Sequence, residues 1–390
     1  MVTNTNTMKT KLLLLISLFL SISTFAQNYP VGHLSSTFTD ASRNNRSIPV
    51  EIYYPATTAG NNVPVATDAQ FATIAFGHGF VMGWDAYENI WQTLVPNGFV
   101  MVFPKTEGGI APSHAEFGKD LAFCIARMQS LNQDASSIFF NRLSSTSALM
   151  GHSMGGGAAF IGMQQNTSIT ALAVLAPAET NPSAITAAAT LNVPALVIAG
   201  SNDCVTPPST NQLPMYTSLA SGCKTYVNIT GASHCQMSDF NLLCQIGEAT
   251  CSPGPDISRD EQHQVIADYI VPWLRANLNN DCQSGSAFND LIESDDAVSF
   301  LRTCEQCEEL SVAAIGERKI KLSPNPVSDM LTVEMQGSGN LELFDLFGRK
   351  LLSVRIETSQ RLNLDFLPQG VYVYRVTSTS GNQSGKIVKK

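Results

Sequence analysis

Ser153 stands in Gly151-His152-Ser153-Met154-Gly155, between the apolar residues 147–150 and the small residues Gly156-Gly157-Ala158-Ala159. A glycine two places either side of a serine lets a strand turn sharply into a helix, with backbone passing where a Cβ would collide. The serine hydroxyl is then exposed at the C-terminal edge of a sheet. The chemistry open to such a serine is attack on a carbonyl carbon, which needs a base to take its proton and an acid to orient that base. Behind a turn of this kind the partners follow in the order serine, acid, histidine.

Asp203 is the candidate acid. It follows the apolar strand 193–199 in Gly200-Ser201-Asn202-Asp203, with Val205-Thr206-Pro207-Pro208 behind it. His234 is the candidate base, in the turn Gly231-Ala232-Ser233-His234 that ends the next strand, 224–230. Taken singly, each reads as an ordinary turn aspartate or loop histidine. Their weight comes from each following a separate strand in the required order. His152, beside the serine, is expected to point into the core and pack there.

Acyl transfer also needs backbone N–H groups aimed at the oxyanion. Met154, directly after the serine, supplies one candidate donor. Phe80 is the candidate for the other, in the loop Gly77-His78-Gly79-Phe80 after strand 73–76, and its ring would wall the acyl site. A plain strand-to-helix turn remains the alternative for that loop. Trp84, Tyr87 and Trp91 follow at helical spacing. Core packing is favoured for Tyr87 and Trp91, whereas Trp84 is balanced between packing and substrate contact.

These residues require a positioning scaffold, and apolar strands alternating with helical segments supply one. The fold class is α/β: a mostly parallel sheet covered by helices on both faces. The helix expected over 261–278 closes it, with a kink at Pro272. Residues 178–192 form only a short connection, so no large cap covers the site. Residues 236–259, rich in Cys, Pro and Gly, are the candidate for a local flap beside His234.

The pieces Gly151-His152-Ser153-Met154-Gly155-Gly156-Gly157, Leu175-Ala176-Pro177, Ser201-Asn202-Asp203 and Gly231-Ala232-Ser233-His234 resemble the secreted cutinase-like polyester hydrolases, which include the poly(ethylene terephthalate) hydrolases. The resemblance covers about residues 28–280. It implies an α/β-hydrolase fold, a Ser153, His234, Asp203 triad, an oxyanion hole at Phe80 and Met154, and an aromatic-walled cleft for ester polymers. Those enzymes commonly carry a tryptophan directly after Leu-Ala-Pro, where this chain has Ala178. That departure weakens the expectation of aromatic-polyester binding and leaves ester hydrolysis in place.

The expected activity is therefore a secreted serine carboxylic ester hydrolase acting through an acyl-enzyme on an ester or polyester substrate, with no cofactor or metal. A short-chain esterase or lipase-like enzyme shares every candidate residue. A serine peptidase and a non-catalytic binding protein are the more distant readings.

A net charge of −9 without a basic stripe argues against nucleic acid as a partner. Lys9 and Lys11, the apolar residues 12–22 and Thr24-Phe25-Ala26 read as a Sec signal peptide over 1–26, leading to the periplasm. No other segment is apolar enough to span a bilayer, and a monomer is expected. Eight of the nine cysteines fall between Cys204 and Cys307, which suits a disulfide framework in an oxidising compartment. Candidate pairs are Cys204 with Cys235, Cys244 with Cys251, and Cys282 with Cys304 or Cys307. Cys124 is expected to be a buried free thiol.

The catalytic domain is expected over 27–280, followed by an acidic, cysteine-containing connector over 281–316. Short alternating segments at 331–334, 341–345 and 371–376, separated by glycine turns, predict a small antiparallel β-sandwich over 317–390. That segment resembles the C-terminal sorting domain of type IX secretion cargo, on Ser323-Pro324-Asn325-Pro326, Leu343-Phe344-Asp345-Leu346-Phe347-Gly348-Arg349, Leu367-Pro368-Gln369-Gly370-Val371-Tyr372 and the terminal Lys386-Ile387-Val388-Lys389-Lys390. The resemblance implies export across the outer membrane by the type IX secretion machinery, to the cell surface or beyond. A polymer-binding β-domain is the alternative.

Overall fold

Ten strands of the first unit share one sheet in the computed structural model, which describes residues 28–307, 320–335, 337–345, 348–378 and 381–390. The expected signal peptide lies outside the described residues. The chain divides into two units, the first ending at Glu308 and the second running from Glu309 to Lys390.

In the first unit, β1 (Val31–Asp40) and β2 (Arg46–Pro55) form an antiparallel pair, with β3 (Gly60–Asn61) beside β1. There follow β4 (Phe71–Gly77), α1 (Glu88–Leu94), β5 (Phe99–Pro104), α2 (His114–Gln133), β6 (Leu143–His152), α3 (Met154–Met163), β7 (Ala171–Leu175), α4 (Ala184–Ala188), β8 (Ala195–Gly200), α5 (Gln212–Ser218) and β9 (Lys224–Ile229). The unit ends with α6 (Leu242–Glu248), α7 (Arg259–Asn279), α8 (Cys282–Ser294) and β10 (Val298–Arg302). The sheet order is β10-β9-β8-β7-β6-β4-β5-β2-β1-β3, parallel from β9 through β5 and antiparallel where β10 and β2 join.

The parallel strands are buried along nearly their whole length, because helices cover both faces. Successive side chains go to opposite sides. Leu149 and Val197 join one apolar cluster with Phe117, Leu121 and Ile125 of α2 and Phe160 of α3. Met150 and Ile198 join another with Ile90 and Leu94 of α1 and Tyr269, Trp273 and Leu274 of α7. The fold is the expected α/β-hydrolase type without a large cap, since only α4 lies between β7 and β8.

Two pairings set the level of the site. Gly77 is opposite Gly151, and Gly200 is opposite Ile229, so the C-terminal ends of β4 and β6, and of β8 and β9, finish together. The helix α7 runs through Pro272 as one element, opened by a capping box between Ser258 and Glu261.

The stretch read as a connector departs from expectation over 282–302. In α8, Gly285, Phe288 and Ile292 are buried at helical spacing, and β10 pairs with β9 from Val298 to Arg302. The segment is amphipathic, and its acidic outer face dominates its composition.

The second unit holds two antiparallel sheets, β11 (Ile320–Ser323), β12 (Met330–Met335) and β15 (Ser359–Asn363) in one, with β13 (Gly339–Phe344), β14 (Lys350–Ile356), β16 (Gly370–Ser378) and β17 (Gly381–Lys389) in the other. They share one apolar cluster that includes Leu331 and Val333 of the first sheet and Leu341, Tyr372 and Val376 of the second. This is the expected separate antiparallel β region.

Candidate active site

Ser153 occupies the junction between β6 and α3 with φ 55° and ψ −121°, a region that side chains with a Cβ rarely enter. Its neighbours allow the turn only because they lack side chains. A Cβ on Gly151 would lie 2.5 Å from the backbone of Gly155, and one on Gly155 would lie 2.1 Å from the Gly77 carbonyl oxygen. Three backbone hydrogen bonds hold the serine there: its N–H donates to Leu175 at 3.1 Å, and its carbonyl accepts from Gly157 at 3.1 Å and Ala178 at 2.9 Å. The conformation is strained and over-determined by its surroundings. Ser153→Gly, which removes the offending Cβ, should therefore raise the free energy of unfolding by about 1 kcal/mol, read as a higher urea midpoint at unchanged slope.

Asp203 and His234 arrive from the loops after β8 and β9 and meet this serine. His234 Nε2 lies 2.9 Å from Ser153 Oγ, and its Nδ1 lies 2.8 Å from Asp203 Oδ2. All three residues are buried. A carboxylate can only accept, so the proton sits on Nδ1 and leaves the Nε2 lone pair facing the serine hydroxyl. The other carboxylate oxygen, Oδ1, accepts the backbone N–H of Val205 at 2.9 Å and of Thr206 at 2.7 Å.

Thr206 is a residue the sequence reading did not single out. Its hydroxyl donates to Asp203 Oδ2 at 2.8 Å and lies 3.0 Å from His234 Nδ1. Gln212 Nε2 donates to that hydroxyl at 3.1 Å and to the Pro177 carbonyl at 2.7 Å. The available signal was a hydroxyl residue three places after an aspartate, where an Asx turn brings it back onto the carboxylate.

The loop after β4 is fixed from two sides. His78 bridges the carbonyls of Gly79 and Thr106, each at 2.9 Å. The Gly79 N–H donates to the Tyr87 hydroxyl at 2.8 Å, which in turn lies 2.9 Å from His152 Nδ1. Phe80, at the tip, is 48% exposed. Met154 is the first residue of α3, so its N–H has no acceptor one turn back within the helix.

His152 is buried as expected, its ring centroid 4.7 Å from that of His234. Burial first, and then His234, push its imidazole well below the ordinary value of 6.5. It therefore stays neutral in the fold at pH values where the unfolded chain takes up a proton. The sign follows: below about 6.5 the unfolded state binds more protons, and stability falls as pH drops. Wild type should lose about 2 kcal/mol more than His152→Gln between pH 7 and pH 5, measured by urea unfolding at each pH.

Tyr87 is buried, and the half-buried Trp91 stacks on Tyr53 at 4.3 Å. Trp84 is half-buried as well, 5.9 Å from Tyr53 and packed on the same apolar cluster. Ala178 is partly exposed, and its N–H is the one bonded to the Ser153 carbonyl.

The disulfides differ from the expected pairs. Cys204 bonds Cys251, Cys235 bonds Cys244, and Cys223 bonds Cys304. The residues after Asp203 and His234 are thus each tied to the 236–258 segment instead of to one another. Cys282 and Cys307 are free thiols in contact, and burial first, then Cys282, push the Cys307 thiol up to about 11. Cys124 is the expected buried free thiol. The segment read as a flap is pinned further, by Glu248 accepting the Cys235 N–H at 3.1 Å, Asp239 accepting the Asn89 N–H at 2.9 Å and Arg259 donating to the Cys235 carbonyl at 2.6 Å. Among the described residues no group of His, Cys, Asp and Glu is arranged to hold a metal ion, and no helix is long and apolar enough to cross a membrane.

With this geometry in place, comparison with known proteins is specific. Residues 35–300 match the family described as PET hydrolase-like, and residues 321–390 match the secretion system C-terminal sorting domain. Cutinase 1 of Thermobifida cellulosilytica is 30% identical over 152 residues, covering 39% of this chain and 48% of that protein. Cutinase est1 of Thermobifida alba is 28% identical over 232 residues, 59% of this chain and 65% of that one. Bis(hydroxyethyl) terephthalate hydrolase of Streptomyces coelicolor is 22% identical over 231 residues, 59% and 62% of the two chains. The chain spans about half the length of the first of these relatives.

Proposed function

The chain belongs to the PET hydrolase-like family, and from that premise we propose that it is a secreted carboxylic ester hydrolase working through an acyl-enzyme on Ser153. His234 Nε2 takes the hydroxyl proton as Ser153 Oγ attacks the ester carbonyl, and Asp203 holds Nδ1–H and stabilises the imidazolium. The N–H groups of Phe80 and Met154 receive the oxyanion. The tetrahedral intermediate collapses, His234 protonates the leaving alcohol, and water repeats the sequence to free the acid. The observation that carries this reading is the unbroken run of contacts from Ser153 through His234 to Asp203, at 2.9 and 2.8 Å.

The substrate is an ester whose acyl part lies along the exposed Phe80 ring, with Trp84 as the further candidate wall. Polyesters fit an uncapped site. A short-ester enzyme is the second reading, favoured by Ala178, which offers no ring beside the nucleophile for an aromatic acid to stack on.

The sorting domain supports export through the type IX secretion machinery, with a signal peptide over 1–26, a catalytic domain that begins at 27 and takes in α8 and β10, a connector shortened to the residues between β10 and 316, and a sorting domain over 317–390. The test of substrate class uses the full chain, because a cut at Asp281 would strip α8, β10 and the Cys223–Cys304 bridge from the first unit. Wild type is expected to release acid both from p-nitrophenyl butyrate and from an aliphatic polyester film. Turnover of the soluble ester alone would move the assignment to the short-ester enzyme, and turnover of neither would end the hydrolase reading.

A further inference from the structure

Phe240, Leu242, Leu243 and Ile246 are 69, 63, 55 and 63% exposed, within a single stretch of the 236–258 segment. Leu242 and Ile246 are four residues apart on α6, and Leu243 and Ile246 three apart, so they share one side of the helix. The other side is held down by the Cys235–Cys244 bridge and by buried Glu248. A cluster of large apolar side chains kept in water on a pinned helix marks a contact surface.

Its chemistry narrows the partner. Residues 236–258 contain no lysine or arginine, Arg259 at the end of the segment is committed to the Cys235 and Ser238 carbonyls, and the chain as a whole carries −9. The carboxylates of the segment are turned to their own protein: Asp239 to Asn89, Glu248 to Cys235 and Asp256 to the Asn202 amide. Anionic lipid and nucleic acid would both need cations here. What fits is an uncharged apolar surface.

The attachment points connect that surface to the reaction. Cys235 directly follows His234, and Cys204 directly follows Asp203; their bridges run to Cys244 within α6 and to Cys251 just beyond it. Whatever α6 rests on is held in register with His234, which faces Ser153, and with Asp203 behind it.

We propose that α6 and Phe240 form a docking platform for the surface of a solid, uncharged polyester, holding the enzyme on the polymer beside Ser153. The nature of that surface rests on the ester-hydrolase reading, whereas adsorption is measured without turnover.

Adsorption of the full chain to a polyester film is read by depletion from solution in a Ser153→Ala background, so that the film is not eroded. The triple variant Phe240→Gln/Leu242→Gln/Ile246→Gln should adsorb about ten-fold more weakly. In the Ser153 enzyme the same triple change should keep kcat/KM on p-nitrophenyl butyrate within about two-fold. Ile246→Trp, which enlarges the platform, should adsorb more strongly. Undiminished adsorption of the triple variant would overturn the proposal. So would wild-type adsorption to neutral lipid vesicles but not to film, or a wild-type dimer that the triple variant splits with film binding intact. If the triple variant loses soluble-ester turnover through misfolding, Ile246→Trp decides: stronger adsorption upholds the platform, and unchanged or weaker adsorption sinks it. A wild type inactive on both esters would remove the hydrolase reading, and the adsorption difference would still decide the platform.

Discussion

Ser153→Ala is expected to lower kcat on p-nitrophenyl butyrate by about 10⁵- to 10⁶-fold while leaving the thermal midpoint within a degree or so of wild type. Alanine keeps the Cβ, and therefore keeps the strained φ of 55° and the three backbone bonds that hold the turn. What leaves is one oxygen, 2.9 Å from His234 Nε2. The proposed oxyanion donors, the N–H groups of Phe80 and Met154, are untouched by the change, so residual turnover should sit above the uncatalysed rate. KM should change little, because the hydroxyl contributes to the reaction and not to holding the substrate. Turnover within ten-fold of wild type would place the nucleophile elsewhere. Set beside Ser153→Gly, the alanine variant separates two properties of one position: both lose the reaction, and only glycine gains stability.

The elbow was legible because it is a steric demand. Gly151 and Gly155 sit where backbone passes at 2.5 and 2.1 Å from an added Cβ, so the requirement is written into residue type at fixed spacing. Asp203 and His234 were legible for a related reason: each ends an apolar run that only a covered strand would carry, and the topology allows one order. Thr206 was not, since a threonine after an aspartate is common in turns and only the fold puts its hydroxyl 3.0 Å from His234 Nδ1.

Disulfide pairing was illegible on different grounds. Two of the three bridges are set by how residues 236–258 fold back, since that segment carries both Cys244 and Cys251 to the loops after the acid and the base, and the third by the pairing of β10 with β9, which brings Cys304 beside Cys223. The amphipathic α8 was masked by averaging, because Phe288 and Ile292 are outnumbered by the polar residues around them. Strand β10 is an edge strand with no fully buried residue, so the sequence offers only weak alternation there.

Asp203→Asn should cut kcat by about 10⁴-fold with the fold intact, and the surrounding bonds give the reason. Oδ1 accepts two backbone N–H groups, from Val205 and Thr206. An asparagine must place its carbonyl oxygen at that position, since its NH₂ would oppose two donors. The NH₂ then takes the place of Oδ2 and points at His234 Nδ1, 2.8 Å away. Nδ1 becomes the acceptor, the imidazole proton moves to Nε2, and the atom facing Ser153 Oγ no longer has a lone pair to receive its proton. The loss is one of tautomer, so it appears in kcat with KM held, and the unfolding midpoint stays close to that of wild type. Thr206→Val separates this account from a merely structural one. It removes the hydroxyl from Asp203 Oδ2 and keeps the carboxylate facing Nδ1, so its effect should stay near ten-fold. Equal losses in the two variants would mean that Asp203 acts through loop geometry instead of through the proton on His234.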